Sequence, residues 1–561
     1  MPSSGHWKLR EPLAHRVKEA LLYIAFNMTQ QLRGKGTNMN QLPDLLDLSI
    51  TLSQPPRGSP PEVLATLTLR CDQLGLTHMG DLLTDPLTPQ EHEDLQWYLE
   101  EYWKWPFEGF AERGKQVEAL LPQVGKRLYD ALFSSRQADR IVQKWLGKTG
   151  VRHQISIITD LPRVLSLPWE LLHSDQGFFV LRTRHPVSLV RRLSQSELAE
   201  DSTSFELPLR VLLITARPDN AGFVDPRNIA RELLDEVQEQ VENGTIAVEF
   251  LRPPTLHALR TRLSDTKRSP IHVLHFDGHG AFRPDQVSQN GLVLSGQGQG
   301  LLAFEDEEGQ LDLIKAEEVA QVLQDSGVHL VVLNACASAM SSDDALSSVA
   351  AHLIRSGIDA VIAMSGSVLV ACATRYVEAF YHELAAGTPA PTAQERARQA
   401  LYDSPRRHIL RRYRDKEGAP IELRDWWLPH FYQQRPLVLQ PTKLGRKKKQ
   451  QAGTPALRLN EDMPKEPRYS FIGRSHELLQ IERQLLRGKL MVIYGFGGVG
   501  KTALMREAAD WLTRTGMYAD ACFVSFEHGG DAATLLSALG TYLGVYNGNY
   551  NPNDTSAPWH G

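Results

Sequence analysis

The chain has 561 residues, 42% hydrophobic and 23% charged, which is the size and balance of about three or four soluble globular domains. Its formal net charge of −5 is small for that length and implies neither nucleic acid nor an anionic membrane as a bulk partner. Four cysteines without CxxC pairing argue against a disulfide framework or a structural zinc site. With a polar start and no apolar run of transmembrane length, they point to the cytoplasm.

Residues 1–75 read as a mixed, largely helical segment broken by QPPRGSPP at 54–61, and no function follows from them. A helix is predicted from Thr88, which can cap it, with Pro89 in the first turn and Glu91 closing a capping box. Leu95, Tyr98, Leu99 and Tyr102 then share one face, and the aromatic cluster Trp97, Tyr98, Trp103 and Trp105 reads as core packing rather than a ligand cage. Further helix is expected to about Trp145. From Val151 the pattern turns to strands, with Ile155–Ile158 extended and LPWELL following at 167–172.

An alternation of strand and helix comes next. Val211–Thr215 reads as strand, Pro226–Asn243 as helix closed by Gly244, and Ile246–Phe250 as strand. Ile271–Phe276 and His329–Asn334 read as buried strands. HFDGHG at 275–280 puts His279 and Gly280 just past the first, and LNACAS at 333–338 puts Cys336 just past the second. Residues 345–356 read as helix, Asp359–Met364 as strand, and Cys372–Leu384 and Thr392–Leu401 as helices. The fold class is α/β, a doubly wound, mostly parallel sheet reaching about residue 438. Residues 439–467, with the run Arg446-Lys447-Lys448-Lys449, read as a basic flexible linker. A second α/β unit starts near 468, with strands at Leu490–Tyr494 and at ACFVSF, 521–526.

Ligands and chemistry gather beyond the carboxyl ends of parallel strands. A histidine and a cysteine at neighbouring strand ends therefore suit a base and a nucleophile, His279 taking the thiol proton of Cys336. Backbone N–H groups of Gly280 and Cys336 are the candidate oxyanion hole. His272 and His275 lie inside the strand and read as packing or orienting groups. Near the carboxyl end, Gly495-Phe496-Gly497-Gly498-Val499-Gly500-Lys501-Thr502 between a strand and a helix is a P-loop pattern. Gly495, Gly497, Gly498 and Gly500 would cradle phosphates, Lys501 would reach them, and Thr502 would hold magnesium.

LPWELL, HFDGHG, LNACAS and DAVIAM at 359–364, in that order, resemble a CHAT domain, a caspase-like cysteine peptidase of the clan that holds separase, gingipain and legumain. The similarity runs from about 76 to 438. It implies a helical and non-catalytic part at 76–210, to which Trp169 and Glu170 belong as packing residues, and a catalytic part at 211–438. It also implies His279 and Cys336 as the dyad without a third acidic residue, Gly280 in the oxyanion hole, and no cofactor for proteolysis. Many members carry an aspartate beyond the strand matching 359–364, where it receives a basic P1 side chain. Val370 occupies that place here, so an apolar P1 is expected. Asp277 is the alternative acidic wall, and Asn334 is expected to line the pocket.

Phe471-Ile472-Gly473-Arg474 together with the P-loop resembles the start of a STAND-type ATPase, the class that includes NB-ARC domains. This implies Arg474 near the nucleotide, with ATP and magnesium as the ligands of a partial module at 468–561. The expected function is a cysteine endopeptidase cleaving a partner protein under a nucleotide switch, in bacterial defence or regulated cell death. A gasdermin-like pore former is one target, and an activating sensor region or ligand is a further partner. The alternative is a signalling ATPase with an inactive peptidase-like scaffold, and acyl transfer on a small molecule is chemically open to the same dyad.

Overall fold

The computed structural model describes residues 42–103, 108–183, 186–194, 201–221, 227–283, 286–289, 292–295, 299–324, 326–336, 344–364, 370–413, 416–442, 471, 473–488 and 490–543. The chain divides into residues 1–45 and 46–561, and the architecture below is that of the second unit.

The amino-terminal region differs from the helical expectation. Strands β1 (Leu45–Ser53), β2 (Val63–Cys71) and β3 (Leu76–Thr84) form an antiparallel meander, with QPPRGSPP in the β1–β2 connection. The reason lies in a period of two. Leu48, Ile50 and Leu52 on β1 and Ala65, Leu67, Leu69 and Cys71 on β2 alternate inward, and all seven are buried. Helices α1 (Pro89–Glu100), α2 (Glu108–Phe133) and α3 (Arg136–Leu146) follow as expected. The predicted capping box at the start of α1 is present: Thr88 Oγ1 accepts from Glu91 N, and Glu91 Oε2 accepts from Thr88 N at 2.8 Å. Tyr98 and Tyr102 are buried and stacked, Trp97 and Trp103 are half-buried, and Trp105 lies outside the described residues.

Next come β4 (Arg152–Ile158), α4 (Pro162–Leu165), the short hairpin β5 (His173–Ser174) and β6 (Gly177–Phe178), and β7 (Val187–Arg192). The following stretch holds β8 (Asp201–Glu206), β9 (Leu209–Thr215), α5 (Asn228–Glu236), α6 (Gln238–Glu242), β10 (Ile246–Phe250), α7 (Leu256–Ser264) and β11 (Val273–Arg283). Strands β12 (Gln286–Gln289), β13 (Leu292–Ser295), β14 (Gln299–Glu305) and β15 (Leu311–Lys315) precede α8 (Ala316–Leu323) and β16 (Leu330–Cys336). The succession then runs through α9 (Asp344–Arg355), β17 (Ala360–Met364), α10 (Val370–Ala385), α11 (Ala390–Asp403), β18 (Arg406–Tyr413), β19 (Lys416–Glu422), β20 (Pro429–Gln433) and β21 (Leu437–Thr442).

One 13-stranded sheet carries both expected halves, in the order β10-β9-β11-β16-β17-β20-β7-β4-β1-β2-β3, with β14 and β15 attached at β11. The pairs from β10 to β17 are parallel, and β20 runs antiparallel to β17. Both faces are covered. Val211, Leu213, Val273, Leu330 and Val332 pack towards Leu233 of α5 and Tyr376 and Phe380 of α10. Leu212, Ile214, Leu274, Phe276, Val331 and Leu333 pack towards Leu259 of α7, Val319 of α8 and Leu353 of α9. Continuous apolar runs are what a two-sided parallel sheet requires.

Trp169 packs as expected, its Nε1 donating to Val164 O at 2.8 Å, but Glu170 does more than pack. It is fully buried and bonded twice by Arg191, with the second contact, Nη2 to Oε2, at 2.9 Å. Arg398 and His430 also face it, at 3.9 and 3.4 Å. A carboxylate among cations ionises readily, and this attraction overcomes burial to hold the Glu170 carboxyl down at about 2.

The carboxyl-terminal region keeps three helices, α12 (Ser475–Arg487), α13 (Lys501–Arg514) and α14 (Ala532–Tyr542). The strands expected at Leu490–Tyr494 and 521–526 are not formed. Leu490, Val492 and Tyr494 are 87%, 75% and 91% exposed, while Met491 and Ile493 pack inward. Such a segment becomes a strand only with a ladder partner at its edge, and none pairs with it among the described residues. Residues 443–470, including most of the expected linker, lie outside the described part. Among the described residues no helix is long and apolar enough to cross a membrane.

Candidate active site

His279 does not follow its strand, as expected, but lies within it. β11 continues to Arg283 because β14 pairs antiparallel with its second half, His279 opposite Ala303 and Gly280 opposite Leu302. On the other edge β16 pairs in parallel from Val273–Leu330 through to His279–Cys336, the last pair of the ladder. The histidine and cysteine thus occupy facing positions on adjacent strands, about 4.8 Å apart at strand spacing. Cys336 ends β16, at the carboxyl edge where the fold class places chemistry.

His279 is buried but for 7% of its surface. Four residues back on the same face, His275 Nδ1 lies 3.0 Å from Tyr381 Oη of α10, and burial pushes its imidazole down to about 4. A neutral ring bonded to a phenol is an orienting group, as expected. His272 likewise accepts from the Arg210 N–H at 3.0 Å and is held down at about 4 by burial.

Asp277 lies between these histidines and is not an open acidic wall. Its Oδ2 takes Arg217 Nη2 at 2.6 Å, and its carbonyl takes Arg217 Nη1 at 2.7 Å and the Ala216 N–H at 3.0 Å. Both side chains are buried. Burial raises the Asp277 carboxyl above its ordinary value, and Arg217 offsets only part of that rise. The charge is therefore committed internally. Asn334, opposite Asp277 in the ladder, is buried too, and its Nδ2 meets no hydrogen-bond partner among the described residues. Such a donor is costly unless something outside that set receives it. Val370 opens α10, but its side chain, that of Cys336, and residues 337–343 and 365–369 lie outside the described residues.

Arg217, Glu305 and Tyr381 were missed as site-supporting residues. Their partners are separated by 60 to 106 residues, and only an arginine directly following an apolar strand hinted at a clamp.

In the glycine-rich loop before α13, Gly498 and Gly500 take φ of 80° and 83°, the left-handed region that glycine enters freely, and Gly500 caps α13. Lys501 Nζ donates to the carbonyls of Gly495 and Phe496 at 2.9 and 2.8 Å, and Arg474 Nη1 donates to Val499 O at 3.1 Å. Thr502 is exposed. Arg474 is thus brought beside the loop. A Cβ built at Gly497 or Gly498 would meet nothing within 4 Å, so the loop is open where phosphates would sit. Glycine N–H groups, an ammonium and a hydroxyl are a donor set that fits a phosphate chain.

No protein of the curated collections matches the chain. Among solved structures, the crystal structure of protein GSU0716 from Geobacter sulfurreducens is similar at 13% identity and a TM-score of 0.23, covering 41% of this chain and 94% of that one. The CHAT domain family matches residues 122–452, more than half of the sequence and inclusive of β11 and β16. The chain therefore belongs to the CHAT domain family of caspase-like peptidases.

Proposed function

We propose that the protein is a cysteine endopeptidase in which Cys336 is the nucleophile and His279 its base. The observation that carries this reading is the parallel register that sets residue 279 opposite residue 336 at the carboxyl edge of the sheet. Paired positions of adjacent strands lie on one face of the pleat. His279 would take the thiol proton as sulfur attacks the scissile carbonyl, and return it to the departing amine; water then releases the acyl group. The N–H groups of Gly280 and Cys336 would meet the developing oxyanion. The Arg217–Asp277 pair supports an apolar P1, because the one carboxylate beside His279 on β11 is already compensated.

The same reading gives the P-loop a nucleotide. Gly495, Gly497, Gly498 and Gly500 would offer backbone N–H groups, Lys501 its ammonium, and Thr502 a ligand to magnesium, with Arg474 alongside. ATP there would supply a switchable cluster of charge next to the peptidase. A protein involved in bacterial defence or regulated cell death, such as a gasdermin-like pore former, is the substrate class this architecture suits.

The test is labelling with peptidyl chloromethyl ketones bearing Leu, Asp or Arg at P1. Wild type should label with Leu preferred, and Cys336→Ala and His279→Ala should not. Equal labelling without Cys336 would remove the nucleophile, and preference for Arg would remove the apolar pocket. Loss of biological function in Lys501→Ala with full function in Cys336→Ala would favour the signalling ATPase instead.

A further inference from the structure

Helices α12 and α13 lie against the carboxyl-edge side of β9, β10 and β14 through an unusual density of ion pairs. Arg252 Nε meets Glu482 Oε1 at 2.8 Å, Arg227 Nη1 meets Glu507 Oε1 at 2.7 Å, and Arg483 Nη1 meets Asp219 Oδ1 at 2.6 Å. A cavity of about 200 Å³ remains between the two surfaces, bordered by Phe250, Arg252, Leu478, Arg483 and Trp511. Phe250 also meets Trp511 edge-on, with ring centroids 5.9 Å apart, so apolar as well as ionic contacts hold the two surfaces, and a mixed contact of this kind permits relative motion.

One of these contacts reaches the peptidase centre. Arg483 Nη2 pairs with Glu305 Oε2 at 3.0 Å and donates to the Arg217 carbonyl at 2.9 Å. Glu305 Oε1 in turn accepts the Arg217 N–H at 2.8 Å. The backbone of residue 217 is thus gripped on both sides, and its guanidinium grips the carboxylate and carbonyl of Asp277, two residues before His279. Glu305 also ends β14, the strand whose Ala303 lies opposite His279.

We infer that Arg483 is a positioning residue for His279, and that α12 regulates the peptidase by docking through the relay Arg483, Glu305, Arg217 and Asp277. This rests on the peptidase reading for its catalytic consequence only. Docked, the relay fixes the strand end that carries the base. Undocked, Glu305 loses its external cation and Asp277 is held by an arginine whose own backbone is free.

The experiment compares full-length wild type, Arg483→Met and Arg483→Lys. Amide exchange at 277–283 should quicken about tenfold in R483M, while β4 and β7, remote from the relay, keep wild-type protection. On a Leu-P1 peptide, kcat should fall about tenfold with KM changed less than twofold, since the substrate contacts are untouched. R483K keeps the charge but not the planar fork, and should recover part of both effects. Unchanged exchange at 277–283 in R483M would overturn the relay whatever the kinetics show. If wild type cleaves no better than Cys336→Ala, the peptidase reading falls, and the exchange measurement still decides the relay.

Discussion

Substituting Glu170 by glutamine separates packing from electrostatics in the part of the sheet away from β11 and β16. The side chains are nearly isosteric, so if Glu170 only fills space, E170Q should cost less than about 1.5 kcal/mol. Arg191 and Arg398 are fully buried, however, and would lose the charge that faces them. Removing one partner of a buried pair costs about 3–5 kcal/mol. Linkage leads to a similar size: a carboxyl held at about 2 against an ordinary 4.5 corresponds to about 3 kcal/mol at neutral pH. The contribution is full above pH 4.5 and fades as pH falls towards 2, because the folded pKa is depressed. Urea unfolding at pH 7, followed by tryptophan fluorescence, should therefore show E170Q less stable by about 3 kcal/mol, with Arg191→Met costing a similar amount. The double variant E170Q/R191M should cost less than the two single losses together, since neither member of the pair is then left as an unpaired buried charge. An E170Q loss under about 1.5 kcal/mol, or additive double-variant losses, would refute the ionic account.

The fold should also be sensitive to mild acid. His272 and His275 are held at about 4 and His430 at about 3, each chiefly by burial, so they bind protons below pH 6.5 only when unfolded. Glu395, raised to about 7 by burial, works in the other direction, binding its proton when folded and releasing it when unfolded above 4.5. Near pH 5.5 these four groups together take up about two protons on unfolding, so stability should drop by about 2 kcal/mol per unit of acidification, read from urea midpoints across pH 5–6.5. A flat profile would mean that these rings are hydrated in the fold. At α1, Thr88→Ala removes the cap and should cost about 1 kcal/mol, while Thr88→Ser should be nearly neutral; equal losses would deny the capping role.

Apolar runs made much of the parallel core legible. VLLIT and AVIAM lie in β9 and β17 because a strand covered on both faces must be hydrophobic throughout. The amino-terminal meander was equally written in the period-two alternation of LSITLS and LATLTL, which the expectation of a mixed, largely helical segment does not use. β11 is a different case. Nothing in Gly278-His279-Gly280 favours a strand locally; β16 holds it as far as His279, and beyond that its extension rests on pairing with β14. The proposed pairing of His279 with Cys336 follows from motif and strand register together. The Arg217 clamp and the Glu170 cluster do not, since ion pairs and hydrogen bonds between residues 21 to 266 positions apart leave no periodic trace.

Among the described strands only β20 joins β17 to β7, antiparallel to the one and parallel to the other. The keystone is late in the chain: a polypeptide emerging amino-terminus first has made β4, β7 and all the strands from β9 to β17 before residues 429–433 appear. Through that interval each half exposes an open edge to its neighbours in the cell, the kind of edge that recruits chaperones or pairs wrongly. The joining of the two halves, and with it the completed sheet, becomes possible only once translation has passed Gln433.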